Sequence, residues 1–183
     1  MPSMKPSTKD GSYSQTPMIV GFSLIPAVLP TLFPCIPQCL ALMIGIAFHI
    51  FFYDLWFYLT HVVFHRKSLY WIHKVHHRRP VDQITHEHAH EAHWIENIVQ
   101  PLGVLVPCIF AGRILWFELV LAFAFISLRG MMRHDHRCSW LIGNHHLLHH
   151  KYSNCNFGEY WIDYLFGTCC KNHHEYVFGK LYT

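Results

Sequence analysis

Residues 11 to 53 contain no Asp, Glu, Lys or Arg. That run is far longer than the apolar core of a signal peptide, so it is expected to stay in the mature protein. Pro26, Pro30, Pro34 and Pro37 divide it. The first piece, "MIVGFSLIPAVLPTLF" (18–33), is short and weakened by prolines. The second, "CLALMIGIAFHIFFYDLWFYLTHVVF" (39–64), is long enough to cross a hydrocarbon layer of about 30 Å as a helix. A further apolar region runs from Ile98 to Leu128 and breaks at "AGR" (111–113). Each of its halves falls short of the ~17 to 25 residues of a full crossing, which fits a shallow helical hairpin; a pair of buried soluble helices is the alternative. Residues 1–17 are polar and rich in Pro and Ser, and read as a flexible leader. Residues 18–168 then form one membrane-embedded domain and 169–183 a short tail.

Charge orients these segments. Arg66, Lys67, Lys74, Arg78 and Arg79 follow the first apolar region, and Arg129, Arg133, Arg137 and Lys151 follow the second, while "PCIPQ" (34–38) is uncharged and the "AGR" turn carries only Arg113. An excess of Lys and Arg marks the cytoplasmic side. The predicted fold is therefore all-α: an integral membrane helical bundle of two apolar hairpins with a cytoplasmic, histidine-rich helical cap. Hydrophobic residues make up 52% of the chain and charged ones 14%, the composition of a membrane protein or of a very apolar core. The formal charge of +3, without a Lys/Arg cluster, excludes nucleic acid as a partner. Seven cysteines with no Cys-x-x-Cys pair suggest neither a disulfide framework nor thiolate-bound zinc, and favour a reducing compartment.

The 18 histidines outnumber Lys and Arg together, and neutral imidazole is a metal ligand. "HKVHH" (73–77) and "HLLHH" (146–150) share the spacing H-x-x-H-H. On a helix those positions lie on one face, so His73, His76 and His77 can converge, as can His146, His149 and His150. His61 and His65 form an i, i+4 pair at the end of the long apolar helix. All three clusters fall at the predicted cytoplasmic ends of apolar segments, and these eight imidazoles can supply two metal ions. His49, in mid-span, reads as a hydrogen-bonded core residue, and His173 and His174 as surface residues of the tail. The stretch "HEHAHEAH" (86–93) is open between a solvated loop and a metal site. Asp54 stands seven residues before His61, two turns away on nearly the same face. A carboxylate in an apolar span needs a partner, and Asp54 is read as a catalytic residue that supports a metal-bound histidine, with a structural link between helices as the competing role.

"DLWFYLTHVVFHRKSLYWIHKVHH" (54–77), "AHWIE" (92–96), "HDH" (134–136) and "GNHHLLHHKYSNCNFGEYWIDYLFGT" (143–168) occur in an order that resembles the fatty acid hydroxylase/sterol desaturase superfamily. The resemblance implies an integral membrane enzyme of the endoplasmic reticulum or a bacterial membrane with two metal ions, generally iron. Such an enzyme activates dioxygen with electrons from NAD(P)H through cytochrome b5 or a reductase, and hydroxylates or desaturates a lipid, either a sterol or a fatty acyl chain. It further implies His61, His65, His73, His76, His77, His146, His149 and His150 as ligands, with His136 and His145 completing the set and His134 and His93 as the other candidates. Lipid substrate, membrane lipids and an electron-donor protein are the expected partners. A histidine-rich metal-binding protein or metal transporter without catalysis is the competing class. Few ionisable residues line the spans, which favours an enclosed site over a conduit.

Overall fold

The longest apolar stretch forms the longest helix. In the computed structural model, which describes residues 38–111 and 116–181, helix α1 runs Gln38–Phe64. At about 1.5 Å per residue its 27 residues reach some 40 Å, more than a bilayer core requires. Only 17% of its most apolar window is buried within the protein, whereas the core helix of a soluble domain is mostly buried. Leu40, Met43, Phe48, Phe51, Leu59 and Val63 project outward along it, as lipid-facing residues would. It is the one helix among the described residues long and apolar enough to cross a membrane. The leader (1–17) and the first arm of the expected first hairpin (18–33) lie outside the described residues.

The second apolar region departs from a plain pair of helices. Helix α2 (Tyr70–His73) and helix α3 (Trp94–Val99) precede a 3₁₀ helix, Gln100–Leu105, which leads into α4 (Val106–Ala111); α5 (Trp116–Arg133) follows. Pro107 has no N–H to give Gly103 an α-helical bond, and the Gly103 carbonyl instead takes the tighter bond from the Val106 N–H. Two side chains of α1 fix this region: His49 Nδ1 donates to the Val104 carbonyl of the 3₁₀ segment at 2.6 Å, and Trp56 Nε1 to the Val99 carbonyl at the end of α3 at 2.8 Å. His49 is thus a hydrogen-bonded core residue. Gly103 permits the approach, because a Cβ there would stand 2.6 Å from Trp56. Val104, Leu119, Ala122 and Ile126 form the core between this segment, α1 and α5.

Beyond the apolar layer the chain is short-helical. Helices α6 (Ser139–Ile142), α7 (His145–Tyr152) and α8 (Tyr160–Phe166) alternate with 3₁₀ turns, and no strand occurs among the described residues. One disulfide, Cys155–Cys170, joins the loop after α7 to the C-terminal segment, with Cα atoms 5.0 Å apart. The spacing of the cysteines does not signal it, so this bridge departs from the expectation of reduced cysteines. The pair is brought together by backbone contacts, Asn156 N–H to the Thr168 carbonyl at 2.8 Å and Cys170 N–H to Asn156 Oδ1 at 2.7 Å. Residues 169 to 181 pack back on the domain through Tyr176, which donates to Asn156, and through Lys180 and Leu181, whose N–H groups reach the carbonyls of Trp140 and Leu141.

Buried charge ties α5 to its neighbours. Asp54 of α1 meets the Arg129 guanidinium, which also lies 3.3 Å from Glu159, and Glu159 pairs with Arg133. All four are shielded from water, so their charges cancel in a low-dielectric layer where removing one leaves the others exposed to the desolvation penalty. Asp54→Asn is expected to lower stability in detergent on the scale of breaking a buried pair, about 3 to 5 kcal/mol. Denaturation of the purified variant tests this. Unchanged stability would exclude the linking role.

Candidate metal centre

Five segments deliver the histidines to one chamber, the end of α5 leading into His134. The last turn of α1 carries His61, and His65 follows it; α2 ends at His73; a 3₁₀ turn, His76–Arg78, holds the next pair; and α7 supplies the remaining box. His73 to His77 are not one helix, as their spacing suggests, because the chain leaves α2 at Lys74 and re-enters as a 3₁₀ turn. This break divides the box. His61, His65, His73, His77 and His149 form one group and His76, His134, His146 and His150 another. In each group one ligand atom per residue lies within 4.8 Å of all the others. Both H-x-x-H-H boxes therefore contribute to both groups.

Hydrogen bonds set the direction of the lone pairs. A carbonyl oxygen only accepts, so an imidazole whose Nδ1 meets one keeps its proton there and presents a bare lone pair at Nε2. This holds for His61 against Phe157, His149 against Cys155 (2.7 Å), His134 against Gly130 (2.7 Å) and His76 against Glu91 (3.2 Å). The Nε2 atoms of His76 and His134 consequently face each other at 3.0 Å with no proton between them. His146 Nε2 adds a third nitrogen, 3.1 Å from that of His134. In the other group, His149 Nε2 stands 2.9 Å from His77 Nε2 and 3.2 Å from His65 Nε2. Converging lone pairs repel one another unless a cation lies among them. Both ring nitrogens of His150 and Nδ1 of His146 are also buried without a hydrogen-bond partner, a costly state that coordination relieves for one nitrogen of a ring.

Burial keeps these rings neutral. It pushes His65 and His76 down to about 4 and His77 down to about 3. His73, His134, His146, His149 and His150 are held far below the ordinary imidazole value by the same burial, with neighbouring imidazoles adding to it. Neutral imidazole is the form that binds metal. All-imidazole groups suit iron, copper and zinc alike, and no cysteine or carboxylate belongs to either.

Two acidic residues to which the sequence alone assigns no role support the chamber. Glu96 takes the Nδ1 of His73 at 2.7 Å and the Gln100 amide at 3.2 Å on the same oxygen, and burial pushes its carboxyl up to about 8. Asp163 accepts from the N–H groups of Phe157 (2.8 Å) and Gly158 (2.7 Å) and from the Thr168 hydroxyl (2.6 Å). It thereby holds the loop whose carbonyls orient His61 and His149. Both acids lie inside the motifs "AHWIE" and "WIDYLFGT", which are the signal that could have found them.

Several of the residues expected at the site fall elsewhere in space, for local reasons. His136 is exposed at the start of a 3₁₀ turn, outside both groups, while His134, one of the other candidates, lies in the four-histidine group. His145 turns away from the chamber and donates its Nε2 proton to Asp163 at 3.0 Å. His93 caps α3 by accepting from the Ile95 N–H. His86 and His88 bond Asp135 and Thr85, so they serve the loop. His173 and His174 are exposed. Asp54 does not reach His61; its partner is Arg129, 75 residues further along the chain, which no helical spacing could indicate.

A cavity of about 320 Å³ adjoins the histidines. His73 from the first group and His76, His134 and His146 from the second border it, opposite Phe57 and Ile126. It is of the size of small-molecule sites. The family model described as fatty acid hydroxylase matches residues 46–168, which include every histidine of the two groups. No curated protein and no solved structure matches the chain.

Metal content separates ligands from bystanders. His134→Ala is expected to lose metal from the four-histidine group, whereas His136→Ala retains the full complement, each measured by elemental analysis of purified protein. Equal retention in both variants would contradict the grouping.

Proposed function

The chain belongs to the fatty acid hydroxylase family, and from that footing we propose that it is a membrane-bound dimetal oxidoreductase that uses dioxygen to hydroxylate or desaturate a lipid. The observation that carries this reading is the cavity bordered by histidines of both groups and by apolar side chains. An unactivated C–H bond offers no acid–base handle, so its oxidation depends on redox chemistry that side chains lack. Bound metal, with iron the choice the family resemblance favours, supplies that chemistry. The protein's part is positional. His61, His65, His73, His77 and His149 would hold one ion, and His76, His134, His146 and His150 the other. Backbone carbonyls and Glu96 fix the rings, so that nitrogen lone pairs and not N–H groups face the metals. Tyr53, Phe57, Phe123 and Ile126 give the hydrocarbon an apolar wall and exclude water from the carbon to be oxidised.

Asp54 belongs, in this reading, with the ion-paired framework and not with the reacting groups. A sterol or a fatty acyl chain is the substrate, and electrons arrive from NAD(P)H through cytochrome b5 or a reductase. The basic residues flanking both apolar regions favour a cytoplasmic position for the histidine chamber, in the endoplasmic reticulum membrane. The alternative of a metal-binding protein or transporter without catalysis leaves the cavity without a purpose.

Comparative lipid mass spectrometry under ¹⁸O₂, on host membranes with and without the chain, tests the proposal. A lipid heavier by one ¹⁸O is expected for hydroxylation, and one lighter by two hydrogens for desaturation. Metal-loaded protein that leaves the lipid profile unchanged with a working electron donor would favour the non-catalytic alternative.

A further inference from the structure

One face of α5 connects two spaces. Trp116, Val120 and Phe123 recur at helical spacing and border an open groove of about 440 Å³ against Leu102 and Leu105 of the 3₁₀ segment. Further along the same face, Phe123, Ile126, Ser127, Gly130 and His134 border the histidine-lined cavity. Phe123 and Pro101 are the residues common to both linings.

The groove's chemistry names its occupant. Every residue lining it is apolar, so it offers no partner to a headgroup or a peptide backbone. Its rims carry Trp116 and Val120, at 69% and 60% exposure, so it opens outward, the side that faces lipid in a chain with a membrane-spanning helix. Its inner end meets the cavity. A bilayer acyl chain is the occupant that satisfies all three conditions.

The two residues at the junction differ in freedom. Pro101 has a fixed φ and sits in a helix pinned to α1. Phe123 is 48% exposed, so about half of its side chain is not held by packing within the protein. Past it the helix face is smooth, since nothing lies within 4 Å of where a Cβ on Gly130 would stand. From Phe123 to His134 the helix advances about 16 Å, a distance an extended chain can follow to the histidines.

We propose that Phe123 is the gate through which an acyl chain of a bilayer lipid passes from the open groove into the histidine-lined cavity. Its bulk sets how far the chain advances, and hence which carbon lies beside the metals. The fate of the chain rests on the lipid-oxidation reading above; its passage does not.

Photocrosslinking reads the passage without catalysis. The full-length, metal-loaded protein is placed in phosphatidylcholine vesicles containing a phospholipid with a diazirine at the end of one acyl chain, and adducts are mapped by peptide mass spectrometry. Wild type is expected to carry adducts both in the groove, at Leu102 or Val120, and in the cavity, at Tyr53 or Ile126. Phe123→Trp should keep the groove adducts and reduce the cavity share about tenfold, as a larger ring fills the junction. Phe123→Ala should keep or raise that share, and Leu128→Ala, exposed on α5 outside both linings, should leave it unchanged. Metal content should match wild type in all three, which excludes misfolding as the cause. Cavity labelling that ignores residue 123, or that is absent in wild type while the groove is labelled, overturns the gate. If labelling follows residue 123 but no oxidised lipid forms, the gate stands and the oxidation reading fails.

Discussion

Buried imidazole lone pairs that point at one another are the constraint around which the rest of this protein is arranged. Nine histidines in two groups are drawn so close that protonation is excluded by burial and by their neighbours. Four of them have their remaining N–H anchored on carbonyls. With the protons held outside, the inner nitrogens repel unless cations are shared among them. The local backbone is consequently arranged for its carbonyls as much as for its side chains. The loop 155–158 illustrates this: Asp163 of α8 and the Thr168 carbonyl just beyond that helix hold it, and its Cys155 and Phe157 carbonyls set two rings in the five-histidine group.

The apolar layer does a different task for the same site. His49 and Trp56 of α1 pin the end of α3 and a 3₁₀ segment that Pro107 prevents from closing as a regular α-helix, and this segment meets α5 at the groove. The Asp54, Arg129, Arg133 and Glu159 network then fixes the end of α5 that leads into His134. The groove and the histidine chamber therefore share one helix. A change in the tilt of α5 would disturb both.

Much of this is legible in the residues, and the failures have physical causes. The uncharged run marks the spanning helix, and the two H-x-x-H-H boxes with the His61/His65 pair contain eight of the nine grouped histidines, because those residues are close in sequence and spacing carries local geometry. The partition into two groups is not legible, since it depends on a turn between His73 and His76 that helical periodicity cannot express. His134 and His136 are separated only by the buried Asp135, and burial, a tertiary property, decides between them. Asp54 has the partner that an apolar span demands, but that partner comes from another helix. The Cys155–Cys170 bridge likewise depends on contacts made by the backbone and side chain of Asn156.

The central claim is that neutral imidazoles from both boxes hold two metal ions through their inner nitrogens. X-ray absorption at the edge of the metal found in the purified protein tests it most directly. The account expects a shell of nitrogen neighbours at about 2.0 to 2.2 Å with the outer-shell scattering of several imidazole rings per ion. A first shell of sulfur, or of oxygen without imidazole scattering, would contradict it.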